Sequence, residues 1–150
     1  MLIRLLIAFA LVSVGVILHA TALATARHWL KHSKMARLPT YRRALTLLIV
    51  VAGWTIFAHL LEIMVWAVFY NFSHAMPNIH DAFYFSAVTY TTVGYGDLVL
   101  PAEWRLLGGV EALNGILMCG WSTGFFFATV NRMFQNRVGI SYPAEHEGKP

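Results

Sequence analysis

Three long apolar runs decide most of what this chain can become. Residues 5–26, 44–70 and 104–131 each match or exceed the roughly 20 apolar residues needed to cross a hydrocarbon core. Charged residues are only 12% of the chain, against about 25% in soluble domains. In lipid, such runs satisfy their own backbone polar groups as helices. The expectation is an all-α membrane protein with three transmembrane helices per chain, and 150 residues leave room for one domain at most.

Charge placement orients the spans. Arg27, Lys31, Lys34, Arg37, Arg42 and Arg43 lie between the first two runs, and a basic cluster of this kind stays on the cytoplasmic side. Arg4 and Ala22-Leu23-Ala24 imitate a cleavable signal peptide, but export would carry the cluster across, so an uncleaved first span is expected. The N-terminus is then outside a multi-pass protein of the plasma membrane, with a cytoplasmic C-terminus behind Arg132 and Arg137. The net charge of +4 gathers beside apolar spans, which points to anionic lipid as a partner and not to nucleic acid. Pro39 breaks the linker, and Thr40 is placed to cap a helix opening at Tyr41. His28 and His32 are expected to be solvated or lipid-facing. Cys119 is the single cysteine, so no intrachain disulfide can form.

The second run ends in Trp66, Phe69 and Tyr70, residues suited to an interfacial belt. Glu62 within it is costly and should face protein or water. His59 shares its helical face, which suggests a buried His–Glu contact or a hydrogen bond to the short helix that follows the second run. One His and one Glu are too few ligands for a metal.

Between the second and third runs, Asn78 can cap a short helix over residues 79–91, with Asp81 in its first turn. That helix is too short to span and too aromatic for a surface loop (Phe83, Tyr84, Phe85, Tyr90), which fits a re-entrant segment. Behind it stands Tyr90-Thr91-Thr92-Val93-Gly94-Tyr95-Gly96-Asp97. This stretch has no catalytic acid–base pair, no ligand cluster and no P-loop Lys. It offers backbone. Two glycines separated by one residue permit alternating conformations, so successive carbonyls can face one way. Such oxygens can replace the water around a monovalent cation, with the Thr92 hydroxyl at the inner end. No Lys or Arg occurs between Asn71 and Glu103, while Asp81, Asp97 and Glu103 do; an acidic mouth concentrates cations.

The run from Thr92 to Gly96 resembles the selectivity-filter signature of the potassium channels, with no gap. The resemblance implies potassium over sodium, and four copies of the chain around one pore. It implies K+ coordination by Thr92, Val93, Gly94, Tyr95 and Gly96. Tyr95 would pack outward against pore-helix residues, and Tyr84 and Asp97 would support the filter by a hydrogen bond behind it. Val88 is apolar, so the carboxyl pair found behind some family filters cannot form with Asp97.

The third run contains Gly115, Gly120 and Gly124, small residues that allow close helix packing in lipid. Glu111-Ala112-Leu113-Asn114-Gly115, Ser122-Thr123-Gly124 and Phe127-Ala128 resemble the inner helix of prokaryotic inward-rectifier channels. That similarity implies Glu111 as a carboxylate held behind the filter, Gly115 as a hinge and Phe127 as a constriction. Helical steps from Gly115 place Cys119, Thr123, Phe126 or Phe127, and Val130 toward the cavity. The large cytoplasmic domain of inward rectifiers and an Arg-rich voltage-sensing span are both missing, and an N-terminal span is added.

The organisation is then an N-terminal span and basic linker (1–43), a pore domain (44–134) and a short cytoplasmic tail (135–150). The expected function is passive potassium conduction by a homotetramer, with no cofactor and K+ as the bound species. Rival readings are a non-conducting subunit that assembles with other chains and a signal-peptided binding protein. An intramembrane enzyme would need paired catalytic groups, and Glu62, Glu111 and His59 are too few.

Overall fold

The computed structural model describes residues 2–32 and 41–138. Within them the regular elements are four helices: α1 (Leu2–His32), α2 (Tyr41–Phe72), α3 (Ile79–Tyr90) and α4 (Arg105–Val138). Three windows are long and apolar enough to cross a membrane, Leu2–His32, Ala44–Phe72 and Arg105–Met133. The helices outrun the apolar stretches because backbone hydrogen bonding does not stop at the hydrocarbon edge; α1 continues through Arg27 and Lys31. At 1.5 Å per residue the long helices reach roughly 45–50 Å, whereas α3 reaches about 18 Å and cannot cross. Pro39, Thr40, Lys34, Arg37 and the tail from residue 139 onward lie outside the described residues.

The helices pack around α3. It lies against α2 and α4, and α1 covers the same two long helices. Ala8, Ala67 and Ala82 let backbones approach, while Trp66, Tyr70 and Leu107 fill the space between them. Trp66 and Tyr70 are therefore core residues, 1% and 0% exposed, and do not form the interfacial belt expected of them. Burial follows from what they meet: Tyr70 finds a carboxylate, and both rings pack within the α2–α3–α4 core.

α1 is part of that core. Arg4 sits over the Trp104 ring, 5.9 Å from its centroid, so α1 begins at the end of the molecule where α4 begins. Further along, the Trp54 indole of α2 donates to the Ala22 carbonyl (2.8 Å). Gly15 rests on Asn114 of α4, where an added Cβ would lie 3.1 Å from the amide nitrogen.

Candidate functional site

α3 is fixed at both ends. The Asn78 side chain accepts from the Asp81 N–H (2.9 Å) and donates its amide to the Asp81 carboxylate (2.9 Å), a reciprocal cap that quiets the exposed donors of a helix start. At the other end the chain turns its amides back on the helix. Thr92 N–H donates to Thr89 O (2.9 Å), and Val93 and Gly94 N–H both donate to Val88 O (3.0 and 3.2 Å).

The strip that follows alternates. Thr92, Gly94 and Gly96 have φ of 61°, 54° and 77°. Glycine takes this conformation freely. Thr92 does not, because a β-branched residue at positive φ is strained, and strain of this kind collects at functional sites. Val93 and Tyr95 are 53% and 72% exposed, so their own chain leaves this strip open, and Tyr95 is not packed away behind it. At the far end the Tyr84 hydroxyl donates to Asp97 (2.7 Å). That bond holds Asp97 below the usual carboxylate range and pushes the Tyr84 phenol up. A cavity of about 270 Å³ lies between strip and helix, lined among others by Tyr84, Val88, Gly94 and Asp97.

Two buried carboxylates stand behind α3 and engage two of its residues one helical turn apart, Ser86 and Tyr90. Glu111 of α4, fully buried, accepts from Tyr70 (2.8 Å) and from Ser86. Glu62 of α2, also fully buried, accepts from the Tyr90 hydroxyl. The expected hydrogen bond from Glu62 to a neighbouring helix is thus present, on Tyr90. His59 approaches Glu62 only to 4.0 Å and instead donates Nδ1–H to the Tyr90 oxygen (3.0 Å). The residue against Glu62 is His19, whose Nδ1 lies 2.7 Å from Oε1. Ser122 Oγ closes the group, 3.1 Å from Nε2 of both imidazoles.

Sequence reasoning missed His19, Ser86 and Ser122. An imidazole in an apolar span carries the same signal that drew attention to Glu62, and it was there to be read. The ligand count also changes. With His19 supplied by α1, three groups (His19, His59, Glu62) present ligand atoms within 4.8 Å of one another.

On α4, Gly115 is buried where a Cβ would strike the Tyr90 carbonyl. Cys119, Thr123 and Phe127 are exposed, while Phe126 and Val130 are half-buried. A Cβ at Gly120 or Gly124 would meet nothing within 4 Å. Arg27, Lys31 and Arg42 are exposed; the Arg43 side chain lies outside the described residues. His28 and His32 are exposed, with ring centroids 4.3 Å apart.

Comparison with curated proteins and with solved structures finds no match. A family model described as ion channel matches residues 45–132, which takes in α2, α3, the strip and most of α4. With three membrane-capable helices and a short helix set against an open strip, the chain belongs to that ion channel family.

Proposed function

We propose that four copies of this chain surround one pore and conduct potassium passively and selectively across the plasma membrane. α3 is then a re-entrant pore helix, and the strip from Thr92 to Gly96 is the selectivity filter. The observation that carries this reading is the positive φ at Thr92, Gly94 and Gly96. A backbone that alternates in this way can turn consecutive carbonyls toward a common side, where oxygens from four chains replace the hydration shell of a dehydrated cation. A carbonyl ring needs several chains, and a closed cyclic assembly supplies them. The exposure of Val93 and Tyr95 suits a strip completed by neighbours.

The supporting parts take their roles from position. The Tyr84–Asp97 bond pins the outer end of the filter. Glu111 and Glu62 hold the pore helix through Ser86 and Tyr90. The C-terminal end of α3 aims its partial negative charge at the cavity and favours a cation there. Cys119, Thr123 and Phe127 line the inner pathway, where a ring of Phe127 side chains can close it by dewetting, with Gly115 as the point of bending. The basic linker faces the cytoplasm and anionic lipid.

Flux from liposomes containing only this chain tests the reading. Potassium efflux well above sodium efflux is expected, strongly reduced by Gly96→Ala because a side chain at a φ of 77° is strained. Equal rates for the two ions overturn selectivity. Absence of flux from correctly inserted protein overturns conduction by this chain alone.

A further inference from the structure

His19, His59, Glu62 and Tyr90 meet behind the inner end of the strip, and holding the pore helix through Glu62 and Tyr90 leaves the two imidazoles without a task. Their hydrogen bonds can be counted. Tyr90 gives its proton to Glu62, His19 Nδ1 shares one with the other carboxylate oxygen, and His59 Nδ1–H donates to Tyr90. Ser122 has one proton and two imidazole nitrogens at 3.1 Å. One Nε2 accepts it, so the other must bring a proton of its own. The proton count leaves the group neutral overall, as burial requires.

We propose that this group is a binding site for a divalent cation of the zinc type. The ligands are Nδ1 of His19 and His59, one Glu62 oxygen and the Tyr90 oxygen. Nδ1 of His19 lies 2.7 Å from one Glu62 oxygen, and Nδ1 of His59 lies 4.0 Å from the other and 3.0 Å from the Tyr90 oxygen. His19, His59 and Glu62 present ligand atoms within 4.8 Å of one another, a spread that a small side-chain adjustment brings to the tetrahedral edge of roughly 3.4 Å for bonds of about 2.1 Å. The outer contacts suit it equally well. A metal-bound imidazole donates its other N–H to an acceptor, and Ser122 Oγ has two lone pairs for two such donors. Mixed nitrogen and oxygen donors favour zinc over calcium or magnesium, which take oxygen alone.

Charge and protons balance. The hydrogen-bonded group holds five protons: one on His59 Nδ1, one between His19 Nδ1 and Glu62, one on an Nε2, and the Tyr90 and Ser122 hydroxyl protons. On binding, both imidazoles keep a proton only on Nε2 and Tyr90 becomes a phenolate. Two protons leave to solvent and one divalent ion enters, so the cluster is neutral before and after. That matters in a medium where net charge is expensive. The ion fastens α1, through His19, to α2 and to the last residue of α3, two positions before Thr92. It gives the added N-terminal span a task, clamping the pore module at the inner end of the filter.

The test uses the full chain with any affinity tag removed. His28→Gln and His32→Gln are introduced so that this exposed, stacked pair contributes no binding. After chelation, Co2+ is titrated in. The expected result is one Co2+ per chain with the intense visible absorption of a four-coordinate ion, displaced by Zn2+. His19→Gln and His59→Gln lose the band, and Ser122→Ala weakens binding about 10- to 100-fold. Where a variant fails to fold, X-ray absorption of the zinc-loaded background protein still decides, two imidazoles and two oxygens at about 2.0–2.1 Å being expected. No stoichiometric binding by folded protein, a six-coordinate spectrum, or a band that survives in the His19→Gln/His59→Gln double variant overturns the site.

Discussion

Gly115 of α4 lies so close to the carbonyl of Tyr90 that no side chain fits between them. α4 and the end of α3 therefore touch backbone to backbone, beside the strip from Thr92 to Gly96. Gly115→Ala places a methyl on a peptide oxygen that cannot rotate away. The expected cost is about 3 kcal/mol, the upper end of overpacking penalties. Thermal melting of the detergent-solubilised assembly reads it, with an unchanged midpoint as the contrary outcome.

Tyr84 and Asp97 give a pH prediction. The folded carboxyl lies below its ordinary value of 3.8 because the Tyr84 hydroxyl donates to its anion, and the phenol lies above its ordinary value of 10.0. A depressed carboxyl stabilises the fold above its unfolded value and loses that contribution only as pH falls through the folded one. The bond thus persists from the acidic side of 3.8 to the basic side of 10.0. The contribution of this bond to potassium selectivity should be flat between pH 5 and pH 9, roughly the range bounded by unperturbed carboxyl and phenol values. Tyr84→Phe should make the filter leakier to sodium at every pH in that range, measured by reversal potential.

Tyr70 and Ser86 both serve Glu111. Tyr70→Phe removes one donor from a fully buried carboxylate and leaves the ring packing intact. Hydrogen bonds between helices in bilayers average about 0.6 kcal/mol with a maximum near 1.7. Glu111 has no water to turn to, so a loss near the top of that range is expected. Denaturant titration in mixed micelles measures it, and a loss below about 0.3 kcal/mol would place Glu111 in contact with water.

Arg27, Lys31 and Arg42 are exposed on the helices that flank the basic linker. Each basic group near an anionic surface contributes about 1 kcal/mol. Neutralising Arg42 and Arg43 together should weaken the dependence of open probability on anionic lipid. An open probability that ignores lipid composition in both proteins would remove lipid as a gating influence.

How far the sequence reaches depends on whether a signal is local. The spans, the Asn78 cap and the glycine alternation after Thr92 are written in consecutive residues, and each is found where the pattern puts it. Trp66 and Tyr70 mislead because interfacial and core aromatics have the same composition; only tertiary neighbours separate them, Glu111 for Tyr70 and the apolar core for Trp66. The cluster around Glu62 draws on four helices, with Ser122 a hundred positions from His19. Nothing in the spacing of α2 alone reveals a histidine contributed by α1.

The account rests on peptide oxygens of Thr92, Val93, Gly94 and Tyr95 from four chains standing around one dehydrated ion. A density map of the assembled particle in potassium tests this directly. Ion density on a fourfold axis, with those oxygens turned toward it, is the expected result. Oxygens turned away from a common axis, or an assembly with no such axis, would contradict it.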